Sequence, residues 1–236
     1  MKLYKTPGGN ASGLALNILN QPHVLIAGAT GSGKSTLLNT VIYTALLFAP
    51  CEKQFILIDP KRVELIDYAR LPHTIARATE NRDIYKALAG AVGIIEDRYK
   101  RLEKRRLKSY DGADVYVIID ELADLLTVNK KAFLPLLQRI AQIGRAARVH
   151  LIAATQRPTK DILSGQLKVN LDARLALRTA SKQDSLNIIE RSGAELLPRY
   201  GQGLYMIPEL RQPELVTIPA TSPDCIAERV KYWMKQ

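Results

Sequence analysis

Cysteine is scarce in this chain: its 236 residues contain two, Cys51 and Cys225, far apart. They have no metal-ligand spacing, which excludes a cysteine-based metal site, and they suit a reducing compartment as two packing thiols. Long apolar runs are also missing. None approaches the roughly 18 residues needed to cross a bilayer. Met1 to Asn20 lacks the basic-then-apolar form of a signal peptide. The expectation is a soluble, cytoplasmic chain without a membrane segment. No internal repeat or low-complexity linker divides it. Acid is in short supply, with 23 Asp and Glu against 34 Lys and Arg, a formal charge of +11. That imbalance favours a polyanionic partner, nucleic acid first and an anionic membrane surface second.

What is present is ordinary core material, 47% apolar, arranged in a telling order. Residues 1–21 are rich in Gly, Asn and Ser and read as an irregular lead-in with room for one short strand. Residues 22–236 read as one domain. Continuous apolar runs at Val24–Ala27, Gln54–Ile58, Val115–Ile119, Val149–Ala154 and Ala173–Leu177 read as buried strands. Helical patterns fall at Ser35–Phe48, Asp83 to about Ser109, about Lys130 to Ala147, Ser181–Arg191 and Pro223–Lys235. Pro135 predicts a late start or a kink in the third of these. Gly203–Met206 and Leu215–Ile218 read as a terminal hairpin. Continuous strands alternating with amphipathic helices predict an α/β fold, a mostly parallel sheet with helices on both faces.

The most specific stretch is Gly28-Ala29-Thr30-Gly31-Ser32-Gly33-Lys34-Ser35, which fits G-x-x-x-x-G-K-[ST]. It follows an apolar strand and opens a helix, the context a P-loop requires. The glycines let backbone N–H groups turn inward on phosphates, and the helix N-terminus adds its positive end. With Thr36, these residues form the expected ATP cradle. Lys34 is expected to reach the β- and γ-phosphates and the Ser35 hydroxyl to bind Mg²⁺. Asp120 and Glu121 close the run Val115–Ile119. Asp120 suits the metal, and Glu121 suits the attacking water as its base. Thr155 and Gln156 follow the fourth strand, where either can sense the γ-phosphate; Gln156 is the candidate carried forward. Arg145 ends a helix just before that strand. It is either a cation favoured at a helix C-terminus or an arginine finger acting on a neighbouring subunit's phosphate. The basic run Arg98–Lys108 reads as a solvated helix end, with DNA contact as the sharper alternative.

Taken together, His23–Ser35, Ile58-Asp59-Pro60-Lys61, Ile119–Asp124 and Ala154-Thr155-Gln156-Arg157-Pro158 resemble the motor domain of FtsK/SpoIIIE DNA translocases. The resemblance covers about Pro22 to Pro219. It implies a RecA-like P-loop NTPase fold and a Mg²⁺-dependent ATPase. It further implies a homo-oligomeric ring, usually a hexamer, that pumps double-stranded DNA. By the resemblance Arg145 holds the finger position, and Arg157 and Lys182 face DNA, with Lys160 and Lys168 as further candidates. Leu186 stands where better-studied translocases have another basic residue. The family's membrane helices, linker, small preceding domain and winged helix have no counterpart in these residues, so the expectation is a pared-down motor. Type VII secretion ATPases, which move polypeptide, resemble the same family and give the alternative function.

Overall fold

A computed structural model describes residues 13–163 and 165–236. The chain runs α1 (Gly13–Asn20), β1 (His23–Ala27), α2 (Lys34–Ala45), β2 (Lys53–Ile58), β3 (Thr74–Ala78), α3 (Asn81–Arg105), β4 (Asp114–Ile119) and α4 (Leu122–Ile143). It continues with β5 (Val149–Thr155), α5 (Gly165–Asn170), β6 (Ala173–Ala176), α6 (Lys182–Ile189), β7 (Gln202–Met206), β8 (Glu214–Thr217) and α7 (Pro223–Met234). The eight strands form one sheet in the order β3-β2-β4-β5-β1-β6-β7-β8. The first six lie parallel, and β7 and β8 join antiparallel at one edge.

The continuous apolar strands are explained by burial on both faces. Leu25 and Ala27 of β1, with Val115, Val117 and Ile119 of β4, enter the core beneath α3, α4, α5 and α6. Their neighbours Val24, Ile26, Tyr116 and Ile118 enter the opposite core, beneath α1 and α2. The period-two geometry of a strand sends successive residues to opposite faces, so both must be apolar. Ile226, Val230 and Trp233 of α7 rest partly buried on the second core. Each fully buried Val, Leu or Ile side chain contributes about 1.5–3 kcal/mol over exposure.

Three expectations need correction. Residues 1–12 of the expected irregular lead-in lie outside the described residues. From Gly13 the chain forms α1, which buries Leu14, Ala15, Ile18 and Leu19 on one face. The helix expected from about Lys130 is present but is the second part of α4, which opens earlier at Leu122, directly after Glu121, and breaks at Asn129 (φ −153°, ψ 73°). Asn129 Oδ1 accepts the Ala132 N–H at 3.1 Å and restarts the helix, so the interruption lies ahead of Pro135 rather than at it. The basic run is not uniformly solvated either. Arg98 is buried and donates to the carbonyls of Ala147 at 2.7 Å and Arg148 at 3.2 Å. Its guanidinium also lies over the Tyr110 ring. α3 ends at Arg105, with Arg106 left-handed at its C-cap.

Strand β3 went unread because Thr-Ile-Ala-Arg-Ala is neither a continuous apolar run nor an apolar alternation. It is an edge strand with Ile75 outward and small residues inward. Among the described residues, no helix is long and apolar enough to cross a membrane.

Candidate nucleotide and metal site

All parallel strands end on one edge of the sheet, and the candidate residues collect there. β1 delivers Gly28–Ser35, β4 delivers Asp120 and Glu121, and β5, lying between them, delivers Thr155 and Gln156. Gly28 is required by contact: a β-carbon would lie 2.7 Å from both Leu177 Cβ and Ser32 Oγ. Gly33 is required by conformation, with φ +94° immediately before α2. The first helical bond of α2 is Leu37 N–H to Gly33 C=O at 2.9 Å. The N–H groups of Lys34, Ser35 and Thr36 therefore precede the helical ladder and are available to an anion.

Lys34 is only 4% exposed, and its Nζ donates to the Asp120 carboxylate at 2.8 Å and the Asp120 carbonyl at 2.7 Å. Asp120 itself is 3% exposed. Such a pair persists only because each charge meets the other. The neighbouring Glu121 is 1% exposed and caps α4, accepting the Ala123 N–H. Its Oε1 accepts the Thr155 hydroxyl at 2.6 Å, and its Oε2 accepts the Gln156 N–H at 3.0 Å. The side chain of Gln156 accepts the Thr30 hydroxyl at 2.7 Å. Gln156 therefore bridges the P-loop to the candidate base. The structure brings Lys34, Ser35, Asp120, Glu121, Thr155 and Gln156 together.

The donor set suits a hard cation. Ser35 Oγ and the Asp120 carboxylate are oxygen donors of the kind Mg²⁺ takes, one carboxylate with the remainder from phosphate and water. Among the described residues, no group of three or more His, Cys, Asp or Glu could hold a metal alone. Beside Ser35 and Thr36 opens a cavity of about 770 Å³, lined on its apolar side by Val63, Tyr68, Ile226 and Val230.

Arg145 lies elsewhere. It is exposed and precedes β5, at the opposite edge of the sheet. Seven strand residues at about 3.3 Å each put it on the order of 20 Å from its own P-loop. Its loop is firmly held. Gly144 packs so tightly that a β-carbon would come within 2.2 Å of the Val149 carbonyl oxygen, and Arg98 grips the next turn. Close by, His23 is buried and held neutral. Burial, then His150 and Arg145, lowers its pKa from 6.5 to about 3.

The four DNA candidates split. Lys160 and Lys168 line a shallow cavity of about 340 Å³ with Gln183, Leu186 and Asn187. Lys168 also pairs with Glu190 at 3.2 Å, and Lys182 is exposed at the start of α6 next to this groove. Arg157 is not in the groove; it pairs with Asp124, which also holds Lys61 at 3.0 Å. That Asp124 contact, by side-chain hydrogen bond, raises the Lys61 pKa.

Two residues near the site were missed by sequence reasoning. Glu64 accepts the Ser35 hydroxyl at 2.8 Å. Arg199 puts its Nη2 3.3 Å from where a β-carbon on Gly31 would sit. The Asp59-Pro60-Lys61 motif was a usable signal for the Glu64 loop. Nothing in local spacing points to Arg199, which is brought in by the turn before β7.

The sequence profile of the FtsK/SpoIIIE family matches residues 8–116 and 112–160. A DNA translocase FtsK of Leptospira interrogans serogroup Icterohaemorrhagiae is 40% identical over 223 residues, covering 86% of this chain and 23% of the relative. The chain thus spans about a quarter of that relative's length. Among solved structures, the pCW3 conjugation coupling protein TcpA, monomer form with ATPγS, superposes with a TM-score of 0.79 at 22% identity. The match covers 91% of this chain and 66% of that one. The cytoplasmic domain of the Thermomonospora curvata type VII secretion ATPase EccC gives 0.75 at 24% identity, covering 89% and 28%. At these identities the two likenesses concern the fold, which is the expected P-loop ATPase α/β fold.

Proposed function

The chain belongs to the FtsK/SpoIIIE family, and from that premise we propose that it is a Mg²⁺-dependent ATPase module that drives double-stranded DNA through a homo-oligomeric ring, a hexamer by family habit. One observation carries the enzymatic part. Lys34, Ser35, Asp120, Glu121 and Gln156 come from three adjacent strands and meet at one sheet edge. In this reading the N–H groups of Gly28–Thr36 hold the phosphates, and Lys34 neutralises the β- and γ-oxygens. Ser35 and Asp120 would hold Mg²⁺, which would supply positive charge to the phosphoryl oxygens. Glu121 takes the proton of the attacking water, turning from its bonds to Thr155 and Gln156. Gln156, tied to both Thr30 and Glu121, passes the state of the phosphate end to the base.

Read as a finger, Arg145 supports a ring. About 20 Å from its own P-loop, it can serve as a finger only for a neighbouring copy. The DNA reading draws on the +11 charge and on Lys160, Lys168 and Lys182 around one groove. Arg157 joins them if it leaves Asp124. The fold shared with EccC keeps polypeptide transport as the second reading.

ATPase rate against duplex length and concentration separates the two. A DNA motor hydrolyses faster with duplex present, and affinity drops by orders of magnitude between about 50 and 200 mM salt if six or more phosphates are engaged. No stimulation by any duplex, under conditions where rings assemble, would favour polypeptide.

A further inference from the structure

The function above gives no task to the loop after β2, although its Asp59-Pro60-Lys61 is part of the family resemblance. One buried carboxylate sets the shape of this loop. Asp59 is fully buried and accepts three backbone N–H groups: Arg62 at 2.9 Å, and Glu64 and Leu65 at 3.1 Å each. Arg62 adopts φ +62°, reversing the chain. The result brings Glu64 against the start of α2, where its Oε1 accepts the Ser35 hydroxyl at 2.8 Å.

A serine hydroxyl has one proton and two lone pairs. With the proton directed to Glu64, both lone pairs of Ser35 are left for a cation. Asp120 does not do this job, because it is engaged by Lys34 at 2.8 Å. Among the described residues no Lys, Arg or His forms an ion pair with Glu64. Its carboxylate therefore adds negative charge behind the proposed metal ligand. Ser35 and Glu64 also line the same 770 Å³ cavity.

We propose that Glu64 is a positioning residue of the metal site: it accepts the Ser35 proton, turns the hydroxyl lone pairs toward Mg²⁺, and adds negative charge behind them. The proposal rests on reading the P-loop as a Mg²⁺–nucleotide site. Groups that orient a metal ligand in this way are typically worth 10–100-fold in metal affinity.

The test is ADP binding by the whole chain, measured calorimetrically without metal and then across a Mg²⁺ titration. Glu64→Ala raises the Mg²⁺ concentration at half effect by about 10-fold or more, with metal-free ADP affinity unchanged. Glu64→Gln falls between, because the amide oxygen still accepts the Ser35 proton. Ser35→Ala shifts the same midpoint, and the double variant shifts it no further than Ser35→Ala alone, since the two residues act as one unit. An unchanged midpoint in Glu64→Ala would overturn the proposal, as would full additivity with Ser35→Ala. Loss of metal-free ADP affinity in both Glu64 variants would also overturn it, making Glu64 a residue that only folds the loop. Failure of the unsubstituted chain to bind ADP under any condition would instead remove the nucleotide reading itself.

Discussion

Strand β4 carries a buried aspartate at each end, Asp114 at its start and Asp120 just past its finish, and the two are treated very differently. Asp114 accepts Lys53 at 2.6 Å, Arg148 through two bonds of 2.6 and 2.8 Å, and His150 at 3.1 Å. Burial pushes its pKa up, but the hydrogen bonds from His150, Arg148 and Lys53 outweigh that and hold the carboxyl well below its usual range. Asp120, equally buried, has Lys34 alone as its cation among the described residues. The strand's start is saturated and fixed, and its finish has one partner, the lysine proposed to meet the phosphates. Buried charge is costly wherever it lies. At one end the chain offsets that cost for stability, and at the other the proposed function gives the charge a cation and phosphates to meet.

Replacing each acid in turn sharpens the contrast. Asp114→Ala strands three basic side chains, and removing one partner of a buried pair costs about 3–5 kcal/mol. Urea unfolding should show that loss, while the nucleotide affinity of the folded fraction stays the same. Asp120→Asn should do the reverse, losing Mg²⁺-dependent hydrolysis with the smaller change in unfolding midpoint. If Asp120→Asn proved the more destabilising of the two, the division of labour along β4 would be wrong. Next in size is Glu121→Gln, expected to bind ATP and hydrolyse it at least ~100-fold more slowly, the scale for a lost general base. Near-normal single-turnover rates would pass the role of base to another residue.

Much of this contrast was legible in the sequence, but unevenly. Asp120 and Glu121 stand out because two acids after five apolar residues are costly unless used. Asp114 does not, since its partners Lys53, Arg148 and His150 come from three other places in the chain and only the sheet brings them together. The same reason hides Glu64, whose delivery depends on a loop wrapped around Asp59. Strands buried on both faces were read nearly to the residue. Edge strand β3 and helix α1 were missed, because small residues and flanking glycines blur their periods. Arg98 misled through its neighbours: six basic residues around it suggested solvent, yet the fold uses its guanidinium to hold the turn beyond Arg145.

The end of the sheet where β4 starts should also show itself in acid. His23 stays neutral in the fold down to about pH 3, whereas the unfolded chain takes up that proton below its ordinary 6.5. Protons therefore favour the unfolded state, and stability falls as pH drops through that window. His73, lowered by burial, adds to the same window. Asp114 contributes stability above its unfolded value of 3.8, and that contribution is lost as pH falls further. Urea midpoints should decline from pH 7 to 5 and drop more steeply below pH 4, with the first decline reduced in His23→Gln. A flat profile to pH 4 would contradict the buried neutral histidines. The smallest expected effect is beside the P-loop: Arg199→Ala, next to Gly31, should weaken ATP binding by only about one hydrogen bond to a charged group, roughly 1.5–3 kcal/mol, with no change in unfolding.

On the proposed function the two ends of the sheet work together only across a subunit boundary, and one measurement addresses that directly. Lys34→Ala has an intact Arg145 and a disabled P-loop, and Arg145→Ala has the converse. Each alone should hydrolyse ATP poorly. Mixed in equal amounts, with mixed rings verified, they should recover DNA-stimulated hydrolysis, because some interfaces pair an intact arginine with an intact P-loop. Mixed rings that stay as inactive as either variant alone would contradict the account.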